Sequence, residues 1–502
     1  MEIHISWGID RHGVRGSGHI EENKYNKHMK ENRRNFLKQI AIGSIGLTLA
    51  PGLRANEAAS KDITIVSGKK TKSNQNNNMS GYRAPKLKTV RVGFVGVGNR
   101  GYSNLSQMTL LDGVEIKAIC DIAQFRVDEA QQLLIKKGLP KAIVYTGNDD
   151  AWREMCENTD LDLISIAVPR GPLHARISVY AMKCGKHVAV EVPAVSTVDE
   201  AWEIVETSEN TRKQCYMMEN CCYDFFELLT LNMARQGFFG DIIHVDAAYL
   251  HYQKIYEKTR DNDMWRLEES QYHNGNIYPT HGLGPVCQVL NVNRGDKLNY
   301  MVSMSSDDFM LGKKVAELAS NDSFYQRFNG DSYRGNINTS IIRTEKGRTI
   351  MLQHDTTSPR VYSRIHAISG TLAAAQKYPL PPRISVGHEW LGDEEMKKVS
   401  EQYMPEIVKR IGEMAQKVGG HGGMDFLMTW RLIDCLRNGL PVDIDVYDAA
   451  AWSVITPLSQ WSLANHSRPI EVPDFTRGAW KTNQPVDISL SEGADTSVRT
   501  GS

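Results

Sequence analysis

The stretch Arg91–Gly101, RVGFVGVGNRG, decides the fold of the chain that carries it. Val92 to Val95 form a short apolar, β-branched run, the mark of a strand buried on both faces. The run ends in Gly96-Val97-Gly98-Asn99-Arg100-Gly101, and a helical pattern follows from about Tyr102. Three glycines at this spacing have separate duties: a tight turn, close approach of backbone to a pyrophosphate, and contact of helix with strand. The helix N-terminus then offers its unpaired N–H groups to the phosphates. Twenty residues beyond Gly101 a second strand, VEIKAICD, ends in Asp121. A carboxylate there accepts from the ribose hydroxyls of a dinucleotide and disfavours a 2′-phosphate of like charge. Asn99, Arg100 and Asp121 join the three glycines as candidate cofactor contacts. A glycine turn in an unrelated α/β fold is the plainer alternative.

Outward from this motif the alternation continues. LDLISIAVP, KHVAVEVP and QCYMMEN are further apolar strands separated by helical stretches. Such a pattern predicts a doubly wound parallel sheet covered on both faces, over residues 89–222. After Tyr223 the texture changes. A long strand, DIIHVDAAYLHYQ, and two arms around Lys346-Gly347 in INTSIIRTEKGRTIMLQHDTT read as hairpin-forming strands. Residues 223–502 are therefore read as an α+β domain with a large, mostly antiparallel open sheet. GGMDFLMTWRLIDCLRNG and DAAAWSVITPLSQWSLAN are late helices, expected to pack back on the first domain.

Upstream, RRNFLK (33–38) precedes the apolar run Ile40–Ala50 and the small-residue stretch PGLRANEAAS. That order is an export signal with a twin arginine in front. The apolar run is too short to span a bilayer, so no stable membrane insertion is expected. Residues 1–58 are read as an upstream extension plus this signal, with Met29 the better start. Residues 59–88, rich in Lys, Asn, Ser and Gly, are read as a flexible linker. The expected location is the periplasm, or the medium, after twin-arginine export.

Composition narrows the partners. The 502 residues carry 59 Lys plus Arg and 59 Asp plus Glu, a formal charge of zero. Nothing in that balance calls for nucleic acid or an acidic membrane. The eight cysteines form no CxxC pair and no zinc-ligand spacing with histidine, so no metal is expected. They read as buried free thiols, although disulfides are permitted outside the cytoplasm.

The run LISIAVPRGPLHARISVYAMKCGKHVAVEVP resembles the central signature of the glucose–fructose oxidoreductase and inositol dehydrogenase superfamily. Its matching positions are Pro169, His174, Gly185 to Val188, and Glu191-Val192-Pro193. Dehydrogenases of this kind usually carry a lysine between the Glu and the Pro, near the reacting hydroxyl. Here Val192 stands in its place, which puts a simple alcohol dehydrogenase in doubt. MMENCCYDFFEL, MWRLEESQYHNGNIYPTHGLGPVCQVLNVNRGD, VSMSS, QHDTTSPRVYSR and GGHGGMDF together resemble glycoside hydrolase family 109, from about residue 89 to the end. Members are NAD-dependent α-N-acetylgalactosaminidases, often exported by the twin-arginine machinery. One departure is visible: the run before His174 is PRGPLH, where the family often has aromatic residues.

The resemblance implies a retaining glycosidase that holds its NAD and recycles it each turnover. The route is oxidation at C3 of the sugar, loss of the C2 proton, elimination of the C1 substituent, addition of water and re-reduction. It implies Gly171, Pro172, Leu173, His174, Glu191, Val192 and Asn220 on the nicotinamide half. It implies Tyr249, Arg266, Tyr278, Pro279, Thr280, His281 and Tyr362 on the sugar. Of these, Tyr249 is assigned the C2 proton and His281 the C3 hydroxyl proton, while Glu219 is either a catalytic acid or a salt-bridge partner. Tyrosine is a poor base at its ordinary value of about 10, so Tyr249 needs a cation or a hydrogen-bond donor nearby. Packing is the plainer reading of Tyr249, and helix capping that of His281. Two further readings of the whole stay open: a periplasmic NAD(P)-dependent sugar dehydrogenase, and a sugar-binding protein that has lost its chemistry. The open face of the second sheet offers a surface for a homodimer.

Overall fold

The computed structural model describes residues 77–258, 264–330 and 332–499. The extension and export signal read over 1–58, and the linker as far as residue 76, lie outside the described residues. The first sheet is built by β1 (Val90–Val95), α1 (Asn99–Met108), β2 (Val114–Cys120), α2 (Gln124–Lys136), β3 (Ile143–Tyr145), α3 (Ala151–Glu157), β4 (Leu163–Ile166), α4 (Pro172–Lys183), β5 (His187–Val190), α5 (Val198–Thr211) and β6 (Cys215–Met217). Its six strands are parallel, in the order β3-β2-β1-β4-β5-β6. β4, β5 and β6 are buried at every position, as expected of strands with helices on both faces. The strand order reverses between β1 and β4, so the loops leaving their carboxyl ends diverge and open a crevice.

A 3-10 turn (Asn220–Tyr223) leads into α6 (Phe225–Arg235), β7 (Ile242–Leu250), α7 (Trp265–Tyr272), α8 (Thr280–Val289), β8 (Leu298–Ser305) and α9 (Leu311–Asn321). Next come β9 (Asn338–Thr344), β10 (Thr349–Asp355), β11 (His366–Gly370), β12 (Ala373–Gln376), β13 (Arg383–Val386) and β14 (Glu389–Trp390). The chain closes with α10 (Asp393–Tyr403), α11 (Glu406–Val418), α12 (Met424–Asn438), α13 (Val446–Ser453), α14 (Ile455–Ala464) and β15 (Ile470–Glu471). The second sheet has nine strands in the order β14-β13-β12-β11-β7-β10-β9-β8-β15. All its pairs are antiparallel except β7 with β10. The β9–β10 hairpin turns at Lys346-Gly347, where Gly347 takes a φ of +88° that a side chain would strain. One face of this sheet leaves Met304 and Ile341 exposed.

Two contacts position the site. Helix α8 lies directly on β7: a Cβ added at Gly282 would stand 2.7 Å from the backbone nitrogen of Ala248. α12 packs on α1 and β1, and α13 on α5 and β6, with Trp430 and Trp452 almost fully buried. Side chains of this size contribute about 1.5–3 kcal/mol each when buried, so the late helices are part of the main core. All eight cysteines are free thiols and seven are buried. No helix among the described residues is long and apolar enough to cross a membrane.

The linker expected over 59–88 ends earlier than its composition suggests. Met79 and Ala84 are buried. The Met79 N–H donates to Tyr447 Oη at 3.1 Å and the Leu87 N–H to the Leu436 carbonyl at 3.1 Å. Two apolar anchors in a polar stretch suffice to dock it on α12 and α13; a composition average over the window conceals them.

Candidate active site

The carboxyl ends of β1, β2, β4, β5 and β6 gather the candidate cofactor residues at the crevice. Gly96 has a φ of +82°, and a Cβ there would stand 2.6 Å from the Ala167 carbonyl oxygen. At Gly101 a Cβ would sit 1.9 Å from the Gly96 carbonyl oxygen, so only hydrogen fits. At Gly98 the place of a Cβ is open, with nothing within 4 Å. That space is where backbone must stay bare for a pyrophosphate to approach. Asp121 braces the same turn, accepting from the N–H of Val97 at 2.8 Å and of Ala123 at 2.9 Å. The residues present therefore fit a dinucleotide.

Behind the crevice runs a network of charged side chains. Arg100 donates through Nε to Glu191 Oε1 and through Nη1 to Asp425 Oδ2, each at 2.7 Å. Asn104 also donates to Glu191, at 2.9 Å, and Asn220 to Asp425 Oδ1, at 2.5 Å. His421 Nδ1 lies 2.8 Å from Asp425 Oδ2. Burial opposes ionisation of Asp425, but His421 and Arg100 hold its carboxyl well below the usual range. Arg100, expected on the phosphates, is thus committed to two carboxylates and ties α1 to β5 and α12. Gly171 (φ +141°) leads into α4 with Pro172 and Leu173 exposed at its start. His174 follows, inside the first turn of α4. It is 1% exposed, with Nδ1 2.8 Å from the Pro193 carbonyl and Nε2 3.0 Å from that of Val168. Both ring nitrogens face backbone, so His174 latches the loops after β4 and β5 together. Val192 is buried in the second of those loops.

On the substrate side the fold assembles side chains from four separate segments. The Tyr249 ring lies 4.9 Å from that of His281, 5.4 Å from Tyr278 and 6.3 Å from Tyr362, centre to centre. Tyr278 and His281 flank the start of α8, and Tyr249 closes β7, so the tight α8–β7 contact sets their spacing. Pro279 caps α8 and Thr280 opens it, and both are buried. Arg266 rests over the Trp265 ring at 4.1 Å. Burial pushes the Tyr249 hydroxyl up to about 12, against the lowering effect of the Gln253 hydrogen bond and of the Arg266 and Arg170 charges.

Glu219 is fully buried and its Oε1 lies 2.7 Å from His281 Nδ1. Burial favours its neutral form, but the charge and hydrogen bond of His281 and the Cys221 N–H hold it below the ordinary carboxylate value. Glu219 is therefore a buried hydrogen-bond partner of His281. Cys221 Sγ lies close enough to make these three a conceivable metal cluster, the one such grouping among the described residues. Two ligands of one tetrahedral ion at ~2.0–2.1 Å stand about 3.3 Å apart, so a 2.7 Å contact marks a hydrogen bond instead.

The two halves match known families separately. Residues 90–219 fit the profile of an oxidoreductase family with an NAD-binding Rossmann fold, and residues 223–482 that of the glycosyl hydrolase 109 C-terminal domain. A glycosyl hydrolase family 109 protein of Shewanella baltica is 45% identical over 464 residues, covering 91% of this chain and 98% of its own. The chain belongs to glycosyl hydrolase family 109. A second relative, the alpha-N-acetylgalactosaminidase of Shewanella oneidensis, is 44% identical over the same shares. Among solved structures, a levoglucosan dehydrogenase complex with NADH matches with TM-score 0.58 at 16% identity, over 77% of this chain and 100% of that one. A scyllo-inositol dehydrogenase from Lactobacillus casei matches at 0.53 and 13%, over 77% and 99%. At such identities the likeness is one of fold. This family 109 chain is an NAD-dependent glycoside hydrolase.

Several side chains of the family 109 site escaped the sequence reading. Arg170 forms a bidentate ion pair with Glu269 and lies 5.0 Å from the Tyr278 ring. His251 and Gln253 both hydrogen-bond Tyr249. For these a signal existed, since 249, 251 and 253 share one side of an extended chain. Asp425, four residues after His421, joins α12 to the cofactor crevice, and only the packing of α12 on α1 discloses that.

Proposed function

We propose that the protein hydrolyses terminal α-N-acetylgalactosaminides with retention, by transient oxidation at C3 and elimination across C1–C2. The observation that carries this reading is the buried Glu219–His281 pair set against Tyr249 beside a dinucleotide cradle. The carboxylates at the site are committed, Glu219 to His281 and Glu269 to Arg170. Neither is free for the acid and nucleophile roles of a two-carboxylate glycosidase.

When bound in the Gly96–Gly101 cradle, NAD supplies reversible hydride removal at C3. The ionised Glu219 accepts from Nδ1–H of His281, which leaves Nε2 as the basic nitrogen for the C3 hydroxyl proton. A ketone at C3 acidifies the neighbouring C2–H, and Tyr249 takes that proton. The electron pair released at C2 forms the C1–C2 double bond as the C1–O bond breaks. Water then adds its hydroxyl at C1 while its remaining proton neutralises the departed alkoxide, Tyr249 returns a proton to C2, and His281 returns its proton to the C3 oxygen.

The same reading includes the twin-arginine signal at Arg33-Arg34 and a periplasmic or secreted destination. A hydrolase that regains its oxidised cofactor each turnover needs one NAD per molecule, and a route for folded proteins lets it be loaded before export. The test is incubation with an aryl α-N-acetylgalactosaminide in D₂O without added cofactor. Released sugar carrying deuterium at C2 is the expected result. Hydrolysis without C2 exchange would overturn the elimination route, and net NADH accumulation would favour a sugar dehydrogenase.

A further inference from the structure

Tyr249 stands in a hydrogen-bond chain with a defined direction. Gln253 Nε2 donates to Tyr249 Oη at 3.0 Å. The phenol then has its own proton to give, and His251 Nδ1 lies 2.9 Å away. An O–H donating to Nδ1 requires a neutral His251 ring with its proton on Nε2. His251 is pinned just beyond β7 by its backbone N–H, which donates to the Asp355 carbonyl at 2.8 Å. The Tyr362 ring flanks it at 5.1 Å.

A tyrosine in this position needs such an acceptor. With its hydroxyl at about 12, only about one Tyr249 in 10⁵ is ionised at pH 7. His251 is kept neutral by its surroundings: burial lowers its basicity first, and His421 and His281 lower it further whenever they carry a proton. The groups that face it are thus Tyr249, Tyr362, His281, His421 and the Asp355 carbonyl.

We propose that His251 is the proton relay behind Tyr249. As Tyr249 Oη takes the C2 proton, its hydroxyl proton passes to His251 Nδ1. The products are neutral tyrosine, an imidazolium, and an electron pair that becomes the C1–C2 double bond as the aglycone leaves with the C1–O pair. After water adds, the imidazolium gives its proton back to Tyr249 as Tyr249 reprotonates C2. The proposal rests on Tyr249 being the C2 base.

The decisive variant is His251→Asn. Asparagine Oδ1 accepts the Tyr249 hydroxyl as Nδ1 does, but takes no proton. We expect the rate of C2 deuterium incorporation and kcat to fall about 10²-fold or more, the usual scale for a lost proton acceptor, with KM little changed. Wild type should lose kcat as pH falls through a value below the ordinary 6.5 of histidine, and hold it above. His251→Asn should lose the part of that acid limb that His251 sets, keeping the part that comes from His281, and should gain activity with rising pH as Tyr249 ionises. Release of bound NAD on denaturation, equal in the two proteins, reports that the fold is intact. Wild-type rate and an unchanged acid limb in His251→Asn would overturn the relay. If Tyr249→Phe still exchanges C2 at the wild-type rate, the base assignment falls first. If exchange needs Tyr249 but not His251, only the relay falls.

Discussion

His281 Nδ1 and Glu219 Oε1 stand 2.7 Å apart although the two residues lie 62 positions apart in the chain. The carboxylate is fully buried, while the imidazole it holds is partly exposed. Replacing Glu219 with Gln keeps the shape but presents an amide that can donate to Nδ1, turning the ring to the wrong tautomer. Glu219→Gln should lower kcat by about 10²–10⁴-fold, leaving KM nearly unchanged, in steady-state hydrolysis of an aryl glycoside.

The three glycines of the cradle should fail differently when each becomes alanine. Gly98→Ala should fold normally and purify without NAD, because its methyl enters open space needed by the pyrophosphate. Gly101→Ala meets the Gly96 carbonyl at 1.9 Å and should lose thermal stability or fail to fold. Cofactor released on denaturation, read beside the melting temperature, separates the two outcomes.

Asp425 links the cofactor crevice to α12 through Arg100, Asn220 and His421. Its carboxyl is held below its ordinary 3.8, so its stabilising contribution is complete above that value. The contribution is lost only as pH falls further, through the lower folded-state value. Asp425→Asn should therefore loosen NAD at neutral pH, raising its dissociation constant in dialysis. It should also flatten the acid dependence of cofactor retention between pH 4 and lower values.

Arg364 sits under the site with Nη2 2.6 Å from Asp224 and 2.7 Å from Glu227, while Lys377 Nζ lies 2.8 Å from Glu227. Arg364 and Glu227 are almost wholly buried. Arg364→Met leaves two carboxylates facing one lysine, and should cost about 3–5 kcal/mol, the scale for breaking a buried ion pair. A drop in the thermal midpoint without a change in bound NAD would be the signature.

Material recovered from the periplasm should release NAD on denaturation, in a ratio near one per chain. Cofactor-free but active protein would count against a retained prosthetic group.

Much of this molecule is local in origin and legible for that reason. The strand, glycine turn and helix of residues 91–108 follow from spacing alone, as does the hairpin at Lys346-Gly347, because turn chemistry acts between neighbours. The sugar-side residues Tyr249, Arg266, Tyr278, His281 and Tyr362 were reached through resemblance, and the fold brings the aromatic ones together. The placing of both His174 ring nitrogens between two backbone carbonyls leaves no mark in a motif. Residues 77–88 read as linker by composition, yet they are held by hydrogen bonds to α12 and α13, elements far along the chain. By itself the sequence determined the doubly wound sheet, the cradle and the mostly antiparallel second layer. Only the tertiary structure decided that β7 pairs with β10 in parallel, that Glu219 backs His281, and that His251 and Gln253 bracket the Tyr249 hydroxyl. Periodicity sets which way a side chain points along its own strand or helix. What it meets there is set by packing between elements far apart in the chain, as where Gly282 lets α8 rest on β7.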